Sequence, residues 1–369
     1  MPEVQGSSVL LLAEETARYF DANGRLRGAL EVSSCPVCLG ARLRLEFVQH
    51  GFRYVRCRDC RFLFVNPRLD DAGSAAFYNS PFYEALLATE YHRVRAFGDT
   101  YHSSSTEPDL LEATAEAIAG LVPATARVVD LGCGGGALLR LLADRYGFRN
   151  AIGVDYSAKA VAFALTVRKV DVLEGDAKEV LAGESCDLVA SIESIEHMND
   201  LAAYLTTIRD LVRPGGWLVI TTPRNSRLAK LLFGRLGDNY MAPSHLNYFN
   251  DRNLSRLLTR FGFTVTRVRR FFRRRGAGLL YRRLFARSEY VAYVPPVTGP
   301  AFAAIPRGFT GDDRAYIRDH FAFVAERAYD LDGRHWRRGG VIAPLRWLAS
   351  AIAIPVRAHM LLVAQRGES

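Results

Sequence analysis

The sequence lacks long apolar runs, which limits how the protein can meet a membrane. No stretch of about 18 apolar residues is free of charge, and the nearest one, residues 341–364, contains two prolines and two arginines. A membrane-spanning helix is therefore not expected. The short apolar run at 9–12 is soon followed by Glu14 and Glu15, which argues against a secretory leader. We expect a cytoplasmic protein.

Acidic residues are missing from one part of the chain, between Arg256 and Arg287. This stretch holds eleven arginines, more than the whole net charge of +9, so the rest of the protein is not basic. One interpretation is an exposed strand edge with a helical cap. Another is an element that lies peripherally on anionic lipid and admits a lipid-linked substrate. Nucleic-acid binding is disfavoured because no RNA-module signature is present.

Cysteine is scarce, and its spacing excludes a secreted disulfide framework. Four of the six cysteines form two pairs, Cys35/Cys38 and Cys57/Cys60, with eighteen residues between the pairs. This spacing is typical of a four-cysteine zinc ribbon in a reducing compartment. We predict a closed, structural Zn²⁺ site; the alternative is a redox pair.

From about residue 121 onward, short apolar strands alternate with helices. Strands are predicted at 127–131, 151–155, 170–174, 186–192, 217–222 and 263–271, and helices at 137–146, 158–167 and 201–211. Apolar strands of about five residues between helices indicate a parallel sheet covered on both faces. The fold class is therefore α/β, with a Rossmann-like sheet.

The first of these strands ends at Asp130 and leads into a glycine-rich loop containing Gly132, Gly134, Gly135 and Gly136. Backbone must approach a ligand closely there, which excludes side chains. In a dinucleotide site the strand runs directly into its glycines, whereas here an acid precedes them, which suits a ligand with a cationic amino group. Asp155 ends the next strand and could accept ribose hydroxyls. Asp176 follows the third strand, placed for an adenine amine. A nicotinamide-binding domain is the alternative.

These motifs resemble the class I S-adenosylmethionine methyltransferases over about residues 121–271, as do Leu211-Val-Arg-Pro-Gly-Gly-Trp217 and Leu218 to Pro223. The resemblance implies a seven-stranded, mostly parallel sheet whose final strand is antiparallel, and His359 to Gln365 fits that strand. It implies S-adenosylmethionine as the cofactor. The cofactor-binding residues it implies are Asp130, Gly132, Gly134, Asp155, Asp176 and Glu193.

Within the class, Glu193-Ser-Ile-Glu196-His197 looks most similar to the ubiquinone-biosynthesis O-methyltransferases. The same spacing holds a divalent metal in small-RNA 3′-end methyltransferases. Glu193, Glu196 and His197 could therefore bind Mg²⁺ or a transition metal. Alternatively, the pair Glu196-His197 is structural. His197 and His245 are our candidates for a general base.

The cysteine unit ends in Phe64-Val-Asn-Pro-Arg68 and looks like the N-terminal module of bacterial sugar and natural-product methyltransferases. We divide the chain into an N-terminal helix (1–30), a zinc-ribbon-like module (31–68), a helical cap (69–120), the methyltransferase domain (121–271), a basic and apolar helical insertion (272–356), and a final strand and tail (357–369).

The sequence therefore predicts methyl transfer to a small-molecule acceptor, with O-methylation favoured and a lipid-linked, quinone-like or sugar substrate. Two alternatives stay open: a metal-dependent RNA methyltransferase, and a zinc-ribbon scaffold with a vestigial cofactor site. The sequence leaves the oligomeric state open.

Overall fold

The computed structural model of the protein describes residues 18–21, 23–49, 51–80, 108–226, 240–276 and 353–368. For 272–276 and 353–358 only the backbone is described. Most of the expected helical insertion, and residues 81–107 of the expected cap, lie outside the described residues. Among the helices that are described, none is long and apolar enough to cross a membrane.

The centre of the structure is a seven-stranded sheet. Its strands are β6 (Val128–Leu131), β7 (Ala151–Asp155), β8 (Val172–Glu174), β9 (Cys186–Ile192), β10 (Val212–Pro223), β12 (Phe263–Gly276) and β13 (Ala353–Arg366). The order across the sheet is β12-β13-β10-β9-β6-β7-β8. Only β13 runs against the rest, being antiparallel to both β10 and β12. This confirms the Rossmann-like, mostly parallel sheet with an antiparallel final strand.

Helices cover both faces of this sheet, as the continuous apolar strands require. They are α2 (Pro108–Ala119), α3 (Ala137–Tyr146), α4 (Ala158–Phe163), α5 (Ala177–Val180), α6 (Leu201–Leu211) and α7 (Asp251–Arg260). Successive strand residues point to opposite faces. Val129 and Val189 thus belong to one apolar cluster with α6 and α7, and Val128 and Leu188 to another with α2 and α3.

The two cysteine pairs belong to a unit built around a smaller, four-stranded antiparallel sheet. It contains β2 (Leu43–Gln49), β3 (Phe52–Cys57) and β4 (Leu63–Val65), and its fourth strand is β11 (Asn247–Tyr248), which pairs with β4. The segments on either side of this unit pair with each other as a two-stranded ladder of β1 (Ala29–Leu30) and β5 (Arg68–Leu69). Helix α1 (Asp71–Tyr78) comes directly after β5. The small sheet therefore takes its edge strand from a segment that follows β10.

The structure departs from the predicted elements at several places. The predicted N-terminal helix (1–30) is wrong over its described part, because Phe20 forms an isolated antiparallel bridge with Leu26 and β1 follows. The first seventeen residues lie outside the described part of the chain. The predicted helix at 158–167 changes from α4 to a π-helical turn, Ala164–Arg168. The outer strands β12 and β13 are longer than predicted, since they pair with each other over most of their length.

Candidate functional site

The four cysteine sulfurs come together, as the sequence predicts. Cys35 Sγ lies 3.5 Å from Cys60 Sγ, and Cys38 Sγ lies 3.6 Å from Cys57 Sγ. All four sulfurs lie within 4.8 Å of one another, and none forms a disulfide. A zinc–sulfur bond of 2.3 Å gives a tetrahedron with edges of about 3.8 Å. The donor set therefore fits a closed Zn²⁺ site.

Each cysteine pair sits in a tight loop of the same design. Leu39 N donates to Cys35 O at 2.8 Å, and Arg61 N donates to Cys57 O at 3.0 Å. Leu39 and Arg61, which directly follow the second cysteine of each pair, both have positive φ, at 62° and 64°. Burial raises the pKa of Cys38, whereas the hydrogen bond with Cys35 lowers the pKa of Cys60 to about 5.

The glycine-rich loop connects β6 to α3 at the carboxyl end of the large sheet. Gly132, Gly134 and Gly136 have φ of 73°, 53° and 77°, which L side chains rarely adopt. A Cβ on Gly132 would lie 2.5 Å from Ser194 Oγ, whereas one on Gly134 would meet no atom within 4 Å. Gly134 therefore faces open space, where a ligand could approach its backbone.

Two carboxylates flank this loop. Gly134 N donates to Asp155 Oδ2 at 2.8 Å, so the second strand end holds the loop in place. Asp130 is 2% exposed, and its Oδ1 has no hydrogen-bond partner among the described residues. Burial, and then the neighbouring Asp155, raise the pKa of Asp130 to about 7. A buried, unpaired carboxylate of this kind fits a cationic ligand group such as the amino group of S-adenosylmethionine.

Asp176 lies at the end of β8, where the sequence places it. Its side chain caps α5 by accepting a hydrogen bond from Lys178 N at 2.9 Å. Tyr156, directly after Asp155, is 71% exposed. Contact of Asp176 with an adenine amine stays a prediction.

A second cluster of candidate ligands forms at the carboxyl end of β9. Glu196 and His197 lie in a 3₁₀ turn (Ile195–His197), and His245 lies just before β11. One ligand atom from each of these three residues falls within 4.8 Å of the others. His245 joins Glu196 and His197 in this cluster, and Glu193 lies outside it. Metal binding by Glu193, Glu196 and His197 stays a prediction. Ser194 Oγ donates to Leu131 O, which places this turn beside the glycine-rich loop.

The charge states in this cluster follow from burial. Glu196 is 1% exposed; Thr222 Oγ1 donates to its Oε2 at 2.8 Å, and its Oε1 has no partner among the described residues. Burial and the adjacent Glu193 raise the pKa of Glu196 well above its usual value. Burial also lowers the pKa of His197. Both shifts favour the neutral forms at neutral pH.

The orientation of His197 is set by its Nδ1. Ser244 O lies 2.8 Å from this nitrogen. Because a carbonyl oxygen can only accept a hydrogen bond, Nδ1 carries the ring proton and donates a hydrogen bond to it. Tyr78 Oη is also close, at 3.1 Å. Nε2 is then the unprotonated nitrogen, and it lies 3.8 Å from Glu196 Oε1. The His197 and His245 rings meet edge to face, with centroids 4.9 Å apart.

Glu193, predicted as a cofactor-binding residue, contacts a histidine of the last strand. Its Oε2 lies 3.0 Å from Nδ1 of His359 on β13, and its Oε1 has no partner among the described residues. Glu193 also has a positive φ of 51°, an uncommon conformation for this residue type.

Sequence reasoning placed His359 only as the start of a strand, and it did not single out Tyr78 or Ser244. No local motif marks these residues, because their roles depend on pairing between distant segments.

Comparison with known proteins agrees with this geometry. Residues 105–268 match the model of a methyltransferase domain family. A ubiquinone biosynthesis O-methyltransferase of Rhizobium etli is 36% identical over 112 residues, covering 29% of this chain and 44% of that protein. A probable S-adenosylmethionine-dependent methyltransferase of Mycolicibacterium smegmatis is 32% identical over 154 residues, covering 41% of this chain and 56% of that protein. The chain thus matches about half the length of these relatives.

Among solved structures, a SAM-dependent methyltransferase from Archaeoglobus fulgidus is similar at a TM-score of 0.40 and 18% identity, covering 70% of this chain and 95% of that one. One from Mesorhizobium loti has a TM-score of 0.37 and 18% identity, covering 69% and 100%. The sheet order and the glycine-rich loop define a Rossmann-like ligand-binding domain. This loop and the strands β6 to β10 lie within residues 105–268, the part of the chain that matches the methyltransferase domain model.

Proposed function

We propose that the protein transfers a methyl group from S-adenosylmethionine to a hydroxyl group of a small molecule. The observation that carries this proposal is the unpaired, buried carboxylate of Asp130 beside the glycine-rich loop, with the cluster of Glu196, His197 and His245 at the next strand end. The first feature fits the cofactor, and the second fits an acceptor that must lose a proton. The similarity to ubiquinone biosynthesis O-methyltransferases supports a hydroxyl acceptor.

In this proposal each residue has a distinct task. When bound, the cofactor would supply a methyl group on a cationic sulfur. The acceptor oxygen would bond to the methyl carbon as the carbon–sulfur bond breaks, and the sulfur would leave as a neutral thioether. Asp130 binds the amino group of the cofactor, while Asp155 holds the loop and accepts from the ribose. The protein then acts mainly through proximity and alignment. Neutral His197, with Nε2 unprotonated, accepts the proton of the acceptor hydroxyl.

The same cluster supports a second role, as a metal site that orients the acceptor oxygen. Two imidazoles and one carboxylate suit Zn²⁺, Mn²⁺ or Fe²⁺ better than Mg²⁺, which prefers oxygen ligands. Nothing in the donor set therefore favours the Mg²⁺ considered from the sequence. Glu196 Oε1, buried and without a partner among the described residues, is the atom that such a cation would satisfy. An RNA methyltransferase would use this metal role, so a metal requirement bears on the choice of acceptor class.

The test is a methyl-transfer assay with labelled S-adenosylmethionine, the full chain, and two acceptor panels of small phenols and short RNAs. We expect methylated product with the phenols. In His197→Ala we expect kcat to fall by about 10²-fold or more, the usual contribution of a general base. A requirement for added metal, with transfer to RNA instead, would favour the alternative. Calorimetry with the cofactor separates both from a scaffold, because a scaffold would bind none.

The four cysteines supply a further part of the proposal, a structural Zn²⁺. Cys35, Cys38, Cys57 and Cys60 would hold it, and its chemistry there is to neutralise the thiolates and crosslink the two loops. The ion has no open position for a substrate in such a set.

A further inference from the structure

Arg68 is an arginine enclosed on all sides, at the junction between the small sheet and the methyltransferase domain. Its relative exposure is 0%, and the guanidinium lies 5.9 Å from the ring centroid of Phe64. Burial lowers the pKa of Arg68 to about 10, so it stays charged at neutral pH. A buried charge is costly unless its hydrogen bonds are well placed, so the bonds that Arg68 makes identify its role.

These bonds run to backbone carbonyls of two separate segments. Nε donates to Val65 O at 3.2 Å, at the end of β4 in the small sheet. Nη1 donates to Asn199 O at 3.0 Å and reaches Met198 O at 3.5 Å. Residues 198 and 199 directly follow the turn that carries Glu196 and His197. One side chain thus fastens the cysteine module to that turn.

A second connection runs through the strand that carries His245. Val65 N donates to Leu246 O at 2.9 Å, and Leu246 N donates to Glu196 O at 2.8 Å. Asn247 Nδ2 donates to Met198 O at 2.7 Å. The segment after His245 is therefore bonded on one side to β4 and on the other to the turn with His197.

We propose that Arg68 is a positioning residue, through which the cysteine module fixes His197 and His245 relative to each other. This inference rests on the proposed function, since it assigns the module a task in the same site. The module then acts as a support for the acceptor site, and zinc matters to the reaction because it keeps β4 in place. Arginine is required because its planar fork directs donors to two segments, which a lysine ammonium cannot do equally well.

The experiment compares Arg68→Met and Arg68→Lys with a matched control, Arg260→Met. Arg260 Nη1 also donates to carbonyls of the cysteine module, those of Pro36 and Val37 at 2.9 and 2.6 Å, but it does not bond to residues 196–199. The readouts are zinc content, cofactor binding by calorimetry, and the imidazole signals of ¹⁵N-histidine-labelled protein. The chain has eight histidines, and His197→Gln and His245→Gln assign the two signals of interest.

We expect Arg68→Met to shift both imidazole signals and to lower kcat about 10²-fold, the scale of a 1 Å misplacement, with KM for the cofactor unchanged. Arg68→Lys should recover part of kcat and part of the wild-type signal positions. Arg260→Met should neither shift the signals nor lower kcat more than about twofold. If Arg68→Met does not fold, Asn247→Ser, which removes the donor to Met198 O, replaces it. The proposal is overturned if the folded variants keep both imidazole signals in their wild-type positions. That readout does not need turnover, so it decides this inference even if no acceptor is methylated.

Discussion

Glu193 and His359 form a partly buried carboxylate–imidazole pair, joined at 3.0 Å across 166 positions of sequence. The pair lies at the β13 side of the site, where His359 of β13 is opposite Pro223 of β10. Because Glu193 is the residue that the sequence assigns to the cofactor and to a metal, its partner decides where its carboxylate points.

Replacing His359 should therefore disturb Glu193. In His359→Leu the Glu193 carboxylate loses its donor while it stays partly buried, which is costly. We expect about a tenfold loss in kcat/KM, corresponding to about 1.4 kcal/mol. His359→Asn restores an N–H donor at a similar position and should recover most of the activity. Equal activity of the Leu and Asn variants would show that the pair has no functional role.

Asp130→Asn tests the cofactor assignment through affinity. Loss of a charge-assisted hydrogen bond should weaken S-adenosylmethionine binding by about 10- to 100-fold, measured by calorimetry. The exposed carboxylate of Asp210, on the outside of α6, provides the control, because Asp210→Asn should bind the cofactor as the wild type does. Unchanged affinity in Asp130→Asn would remove Asp130 from the site.

The same variant has a pH signature in the cofactor-free protein. Because burial raises the pKa of Asp130 from 3.8 to about 7, the folded protein binds a proton that the unfolded chain releases. Stability from this group is present below pH about 4 and is lost as pH rises to about 7, by up to about 4 kcal/mol. Asp130→Asn lacks this loss. Its melting temperature should therefore exceed that of the wild type above pH 7, and the difference should shrink toward pH 4.

Substituting a cysteine of the cluster tests the metal. Wild-type protein should carry one zinc ion per chain by elemental analysis, and Cys57→Ser should lose it together with cooperative unfolding of the small sheet. Cys186→Ala is the matched control: Cys186 is a buried cysteine outside the cluster, whose Sγ contacts Leu211 O. Full zinc content in Cys57→Ser would contradict a four-cysteine site.

Peripheral contact with an anionic membrane also remains a prediction. Arg252 and Arg256 are exposed one turn apart on α7, and Arg267 is exposed on the neighbouring edge strand β12. Changing all three to Glu should abolish co-sedimentation with phosphatidylserine vesicles at low salt. The same charge change at Arg53, Arg58 and Arg149, exposed elsewhere, should not. If both triple variants bind equally, the contact does not involve these three arginines.

The sequence predicted the parts of the site that local pattern determines. The bounds of β7, β9, α3 and α6 match the predicted ones, because apolar runs and caps are short-range signals. The residues at the strand ends follow, since parallel strands bring their carboxyl ends to one edge. The clustering of the four cysteines followed from their spacing.

The remaining features depend on pairing between distant segments. β11 pairs with β4, and His359 contacts Glu193, without any hydrophobic periodicity in either partner that would predict the contact. The predicted N-terminal helix was wrong for a related reason: Phe20 instead packs edge to face on Phe52, in the core of the small sheet. Tertiary contact outweighed local helix propensity there.

The dependence of the small sheet on Asn247–Tyr248 has a consequence for the order of events in biosynthesis. Chains emerge from the ribosome N-terminus first, and here the edge of β4 finds its partner only after residue 248 has been made. Until then the cysteine module presents an open hydrogen-bonding edge, the kind of surface on which strands of other chains can add. Its strands β2 to β4 are therefore made about 180 residues before the strand that completes their sheet.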